Sequence, residues 1–425
     1  MHDRRSGGTT ARGAAGGAPV GSTAPGAAVL TGSYDRSQSP HTFGWVTATG
    51  AETVVRCVVF VADRSAGPRW AVVGALVAVL LALPTLIGAL PASDAETSAA
   101  DLRQAALDSV DVPFAGYAES AGGLSLPLDD QLTAVADLLS DRTTMRAWYR
   151  GPVDWRVDTL SATGETGVHR DAGGTWTWEY EDAVATRAEP APLALPSEPD
   201  LLPSSLGRRL LSEASDDELS RIGARRVAGR DALGVRSVPA DLAASVARVD
   251  VWVDAASGLP LQVQLYAEGT DAAALDTRFL DLDLVAPPAA TTAFTPPLGA
   301  DVGSDRTSRL LDGDRLDDRA RLPDAVAGLP RRELTGVPGA VGVYGRGVTL
   351  LAVVPLPDRF AHSLRDQLRA SPGAVVDDLG VRVSAGPLGL MVTDSPDGGH
   401  DLLTGTVTPE ALATAAAELR TTEGR

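Results

Sequence analysis

The twenty-one residues from Trp70 to Leu90, WAVVGALVAVLLALPTLIGAL, carry no charged side chain. At about 1.5 Å per residue, such a run forms a helix roughly 31 Å long, close to the hydrocarbon thickness of a bilayer. Arg64 and Arg69 precede it, and Asp94, Glu96 and Asp101 follow. Because basic residues are retained on the cytoplasmic side, residues 69–91 read as a single transmembrane helix that leaves 1–68 inside and exports everything after about residue 94. A cleaved signal peptide is the other reading, with an apolar run up to Pro84 and Ser93-x-Ala95 as the cleavage site. Either way the body is extracytoplasmic, at the cell membrane in the first case and secreted in the second.

Residues 1–68 are rich in Gly, Ala, Ser, Thr and Pro with little periodicity, the composition of a disordered tail. All 37 basic residues of the chain are Arg, and the formal charge is −18. Seven Arg against four acids give residues 1–69 a charge of +3, leaving −21 for the remainder. A body that acidic repels phosphate backbones, so no nucleic-acid partner is expected. Cys57 is the only cysteine. It precedes the apolar run, which excludes a disulfide framework, a CxxC motif and a lipid-anchoring cysteine.

Beyond the apolar run, residues 95–112 and 128–142 carry apolar side chains at helical spacing. The period then changes to two. TMRAWYRGPVDWRVDTL sets Val153, Trp155 and Val157 against Asp154, Arg156 and Asp158, and TGVHRDAGGTWTWEYE reads as strand, Gly-Gly turn, strand. A Pro-rich loop (190–203) and a helix near 205–213 follow. ARVDVWVDAASGLPLQVQLYAEG is a hairpin with Val249, Val251 and Val253 on one face, Trp252 on the other, and Leu261, Val263 and Leu265 on the return strand. LDTRFLDLDLV supplies a further strand. The sum is an α+β layout: an antiparallel sheet of about six or more strands with helices against it. Residues 298–321 are acidic and poor in large apolar groups, hence a linker. Residues 322–422 read as a smaller α+β domain, with a hairpin turning at 345–347, a helix carrying Phe360, Leu364 and Leu368, and a last helix after Thr408-Pro409.

Aromatic residues make up only 4% of the chain, yet WTWEY packs Trp176, Trp178 and Tyr180 into five positions. In a strand these three share one face. They either plug a core or, with Trp148 and Trp155, line a hollow that admits an apolar ligand.

Catalytic sets are missing. There is no G-x-S-x-G, H-E-x-x-H or S-x-x-K with its partners. His169-Arg170-Asp171 lacks the context of a kinase loop and sits beside a turn. The carboxylates of DSPDGGHD (394–401) lack the spacing of a calcium loop. No enzyme, metal or cofactor is expected.

MRAWYRGPVDWRVD, GVHRDAGGTWTWEYEDAVATR and VDVWVDAASGLPLQVQLY, in that order, resemble the RseB/MucB family of sigma-E regulatory proteins and, more broadly, the LolA-like lipoprotein carriers. The resemblance covers residues 95–297. It implies a curved antiparallel half-barrel with helices on its concave face, an apolar hollow that accepts a lipid or acyl chain, and a C-terminal domain that helps hold the exported part of a membrane anti-sigma factor. A regulatory binding protein and a lipid or lipoprotein carrier of the cell envelope are both open on these grounds.

Overall fold

The computed structural model describes residues 70–79, 92–123, 140, 142–161, 164–188, 196–304, 322–335, 337, 339–394 and 399–422. The expected tail (1–68), the second half of the apolar run, nearly all of the helix expected over 128–142 and most of the linker fall outside these residues. Residues 70–79 are helical and exposed, and among the described residues no helix is long and apolar enough to cross a membrane. Arg142, where that helix was to end, begins a strand.

The described residues from Val72 onward belong to one compact unit, built mainly on two sheets. The first contains twelve described strands. In chain order they are β1 (Phe114–Gly122), β2 (Arg142–Gly151), β3 (Asp154–Leu160), β4 (Glu165–Asp171), β5 (Gly174–Glu179), β6 (Val184–Ala188), β7 (Leu219–Val227), β8 (Arg230–Ser237), β9 (Val246–Asp254), β10 (Pro260–Ala267), β11 (Ala273–Asp283) and β12 (Asp301–Ser304). Their spatial order is β12-β6-β5-β4-β3-β2-β1-β11-β10-β9-β8-β7, antiparallel except for β12 on β6. Its two ends are not paired with each other among the described residues, so the sheet is not a closed barrel. β12 lies inside the stretch read from sequence as linker: four exposed residues add themselves to the edge as a parallel strand.

Helices α1 (Ala99–Asp108) and α2 (Pro203–Ser212) cover one face of this sheet. Ser98 caps α1, its hydroxyl accepting from the Asp101 N–H at 3.0 Å. Leu102 and Ala106 of α1 and Leu211 of α2 pack on Leu233, Val235, Val249, Val251, Val253 and Val263. The period-two hydrophobics of β9 and β10 thus meet the helical stripe as expected. A neighbouring cluster joins Phe114, Met145, Tyr149 and Phe279 to Leu201 and Leu202 before α2. Each fully buried large side chain here contributes about 1.5–3 kcal/mol.

The β9–β10 turn explains the sequence DAASG. Asp254 accepts hydrogen bonds from the Ser257 N–H (2.8 Å) and hydroxyl (2.6 Å) and pairs with Arg230 through two bonds of 2.8 and 3.0 Å. Gly258 has φ +74°, and a Cβ there would stand 2.5 Å from the Ala105 carbonyl oxygen of α1. Only glycine meets both demands.

β13 (Ala325–Val326) and β14 (Leu329–Pro330) form a separate small pair. The second sheet is built from β15 (Gly342–Arg346), β16 (Thr349–Leu356), β17 (Val375–Asp377), β18 (Gly380–Ala385), β19 (Leu388–Asp394) and β20 (His400–Gly405), in the spatial order β15-β16-β20-β19-β18-β17, all antiparallel. Two long helices pack on it, one per face. The one at Asp358–Ala370 buries Ala361, Leu364 and Leu368 against Val381, Val383, Leu390 and Val392. The one at Pro409–Thr422 buries Leu412, Ala415, Ala416 and Leu419 against Leu351, Val353, Met391 and Leu403. Odd and even positions of the same strands feed the two layers.

The sheets are joined through side chains and backbone. The Ser245 N–H donates to the Thr406 carbonyl (3.2 Å), the Thr408 N–H to that of Ala243 (2.8 Å), and Val348 of the β15–β16 turn packs with Leu211 at the end of α2. Glu213, just past α2, accepts from both Arg332 nitrogens (2.9 and 2.6 Å) and from the Gly347 N–H (2.7 Å).

Candidate functional site

Between α2 and the β2–β3 hairpin the packing leaves a hollow of about 290 Å³. Ala147 and Tyr149 of β2 and Trp155 and Val157 of β3 form its floor. Leu202, Ser205 and Arg208 form its roof, and Val110 stands at one end. Residues 202, 205 and 208 reach the same space because three-residue spacing puts them on one helix face. The floor follows from strand pairing: Ala147 opposes Val157 and Tyr149 opposes Trp155, so the four share a face.

Tyr149 is fixed from three sides. Its ring stacks on Phe114 (centroids 5.1 Å apart, planes 11° apart), its hydroxyl donates to the Val110 carbonyl at 2.6 Å, and the Arg208 guanidinium stands 5.9 Å from its ring centroid. Burial pushes the Tyr149 hydroxyl above its ordinary pKa, so it stays neutral. Burial also lowers the pKa of Arg208 from its very high ordinary value. Among the described residues that guanidinium makes one hydrogen bond, a long one to the Ser109 hydroxyl at 3.5 Å.

The structure divides the five rings singled out in the sequence. Trp148 and Trp155 line the hollow. Trp176, Trp178 and Tyr180 are not among its lining residues: strand pairing puts Trp176 and Trp178 on β5, two strands beyond β3 and on the other face of the sheet. Val157, which lines the hollow, shares its row with Val168 and Thr177, while Asp158–Gly167–Trp178 and Arg156–His169–Trp176 form rows on the other face. Trp148 pairs with Arg156 and so belongs by alternation to that second face; the Arg156 guanidinium lies 5.0 Å from its ring centroid.

On the far face Phe294 fills the space among the rings, 4.6 Å from His169, 5.9 Å from Trp176 and 6.1 Å from Trp178, with Tyr180 edge-on to Trp178 at 5.7 Å. The short helix Ala289–Thr292 positions Phe294, and the Thr292 carbonyl lies 3.3 Å from His169 Nδ1. Burial, reinforced by the Arg156 charge, lowers the His169 pKa and keeps the ring neutral. Arg156 donates to both Asp158 oxygens and to the Tyr180 hydroxyl (2.7 Å). Trp252, on the face opposite Val251 and Val253, is 9% exposed and lies beneath Arg225 at 3.8 Å.

Tyr149, Leu202, Ser205 and Arg208 were not singled out from the sequence. Tyr149 had a signal, being two positions from Ala147 and paired across to Trp155. The roof had none, since PSSLGRRLLS does not say which of its faces meets a sheet. Among the described residues no group of three or more His, Cys, Asp or Glu side chains is placed to hold a metal ion.

The chain is similar in structure to MucB. In the crystal structure of MucB in complex with MucA(peri), the likeness covers 75% of this chain and 97% of that chain at 18% identity, with a TM-score of 0.42. For the MucA/MucB complex of Pseudomonas aeruginosa the figures are 75%, 96%, 18% and 0.43. A LolA superfamily protein from Nitrosomonas europaea matches 47% of this chain and 98% of its own at 10% identity, with a TM-score of 0.23. No family model and no curated protein matches the sequence.

Proposed function

We propose that the chain is an exported regulator of an extracytoplasmic-function sigma factor pathway. It is anchored by residues 70–90, binds a lipid-like ligand through the part spanning 95–297, and holds the exported part of a membrane anti-sigma factor with help from 322–422. The observation that carries the ligand half of this reading is the hollow of about 290 Å³ between α2 and the Tyr149–Trp155 floor. Its size lies near the lower end of small-molecule sites, and its lining combines apolar side chains (Ala147, Val157, Leu202) and rings (Tyr149, Trp155) with polar groups (Ser205, Arg208) that can fix a ligand's orientation. The three stretches that resemble RseB/MucB support the regulatory half. The reading involves no catalysis and no cofactor.

Titration of the purified chain with a fluorescent fatty acid tests the ligand half. Trp155→Ala is expected to weaken binding about tenfold, a buried ring contact being worth on the order of 1–2 kcal/mol. Unchanged affinity in a folded variant would remove the hollow as the site. A lipid or lipoprotein carrier would use the same hollow, so the regulatory half needs its own measurement. Affinity capture from native membranes is expected to recover a single-span membrane protein encoded beside a sigma factor; acyl chains without such a protein would favour the carrier.

A further inference from the structure

The roof of the hollow carries a charge that no carboxylate among the described residues compensates. Three charged residues contribute to the lining: Arg156, Asp200 and Arg208. Arg156 is held by Asp158. Asp200 accepts from the Ser197 N–H at 2.9 Å and hydroxyl at 3.2 Å, and lies 3.9 Å from Arg209. Arg208 has no carboxylate within salt-bridge distance among the described residues, and of its five N–H donors one is engaged there, weakly, by Ser109. The Ser109 hydroxyl donates its own proton to the Ala106 carbonyl at 2.7 Å, so it holds Arg208 as an acceptor only.

A second feature at the same place has the same sign. α2 begins at Pro203 with no side chain capping it, and Leu202 just before it and Ser205 of its first turn line the hollow. The uncapped N–H groups of a helix start carry partial positive charge and favour anions. A partly buried guanidinium over an aromatic floor, beside an uncapped helix start, is a site for one negative charge attached to apolar bulk. The volume is that of about ten water-sized groups, or a chain of about as many methylenes.

We infer that the hollow takes an amphiphile with a single anionic head, carboxylate or phosphate, which pairs with Arg208 while its chain lies along Tyr149, Trp155 and Val157. This rests on the reading of the hollow as a ligand site and adds the charge of the ligand to it. A bidentate, charge-assisted pair is roughly twice as strong as a neutral hydrogen bond, which gives discrimination of about tenfold against a neutral head.

Titration calorimetry of the purified full chain with dodecanoate, dodecyl phosphate, dodecanol and inorganic phosphate tests it. Expected are binding of the two anionic amphiphiles at least about tenfold tighter than dodecanol, no comparable binding of inorganic phosphate, and loss of the preference in Arg208→Gln with partial retention in Arg208→Lys. The stronger of the two anionic probes identifies the head group. Equal binding of dodecanol and dodecanoate, or a preference that survives Arg208→Gln, overturns the head-group assignment while leaving a lipid site. Binding of inorganic phosphate as tight as that of dodecyl phosphate overturns the role of the chain. Binding of none of the four overturns the lipid reading of the hollow itself. The wild-type comparison decides the matter even where Arg208→Gln does not fold.

Discussion

Trp155 and Trp178 are both tryptophans on period-two strands of one sheet, and the structure gives them opposite surroundings. Alternation groups Trp176, Trp178 and Tyr180 correctly on one face, but it is silent on which face a helix will cover. That depends on the pairing of β3, β4 and β5, which sets Thr177 rather than a ring in the row of Val157. Phe294, arriving from a Pro-rich segment without periodicity, then closes over the far-face rings. The expected consequence is a separation of effects. Trp178 is 7% exposed, so Trp178→Ala should cost about 3–5 kcal/mol in urea unfolding, as large-to-small changes at buried rings do, while a variant that still folds binds fatty acid within about twofold of the parent. Trp155→Ala should do the reverse. A tenfold loss of binding in folded Trp178→Ala would place the ligand on the far face.

At the scale of elements, most of the architecture was legible because the hydrophobic period changes where the structure changes. The hairpin of β9 and β10, the β4–β5 pair and both C-terminal helices lie within a few residues of their sequence readings. What the pattern did not reveal was contact between elements, and Gly207 is an instance. It sits in the middle of α2, where glycine costs roughly 1 kcal/mol relative to Ala. A Cβ at this position would stand 2.6 Å from Pro260 Cβ and 3.3 Å from Val251 Cγ1. Neither neighbour is a flexible chain end, so the helix must lift. Gly207→Ala is therefore expected to lose the propensity gain to overpacking of about 1–3 kcal/mol and to lower the melting temperature. Because α2 is the roof of the hollow, fatty-acid affinity should fall with it. Stabilisation, as propensity alone predicts, would mean that the helix rides higher than its packing on β10 indicates.

For the molecule as a whole, the join between the two sheets had no sequence signal, since Glu213, Glu218, Arg332 and Arg346 look like ordinary surface charges until the fold brings them together. Arg346 donates to both Glu218 oxygens (3.1 and 2.9 Å), which also accept from the Ser215 N–H (2.9 Å) and the Ala240 N–H (3.0 Å). Burial by itself raises the Glu218 pKa, but these donors outweigh it and bring the carboxyl down to about 2 from an ordinary 4.5. Glu213 is lowered as well, chiefly by its hydrogen bonds from Arg332. A carboxylate whose folded pKa is depressed contributes stability that is present above about 4.5 and lost as the pH falls toward its folded value. For Glu218, at 8% side-chain exposure, the contribution is at most about 3 kcal/mol, and less in practice because Arg346 is half exposed. Asp254, Asp377 and Asp394 are depressed too and titrate over an overlapping range, so acid destabilisation alone does not isolate the join. The difference between parent and Glu218→Gln does. Melting curves from pH 7 to pH 2.5 should show the variant less stable at pH 7 by on the order of 1–2 kcal/mol, with the gap closing as Glu218 in the parent becomes protonated. A gap that stays constant across this range would mean that the two sheets are held by packing around Val348 and the backbone bonds at Ser245 and Thr408, with the ion pairs incidental.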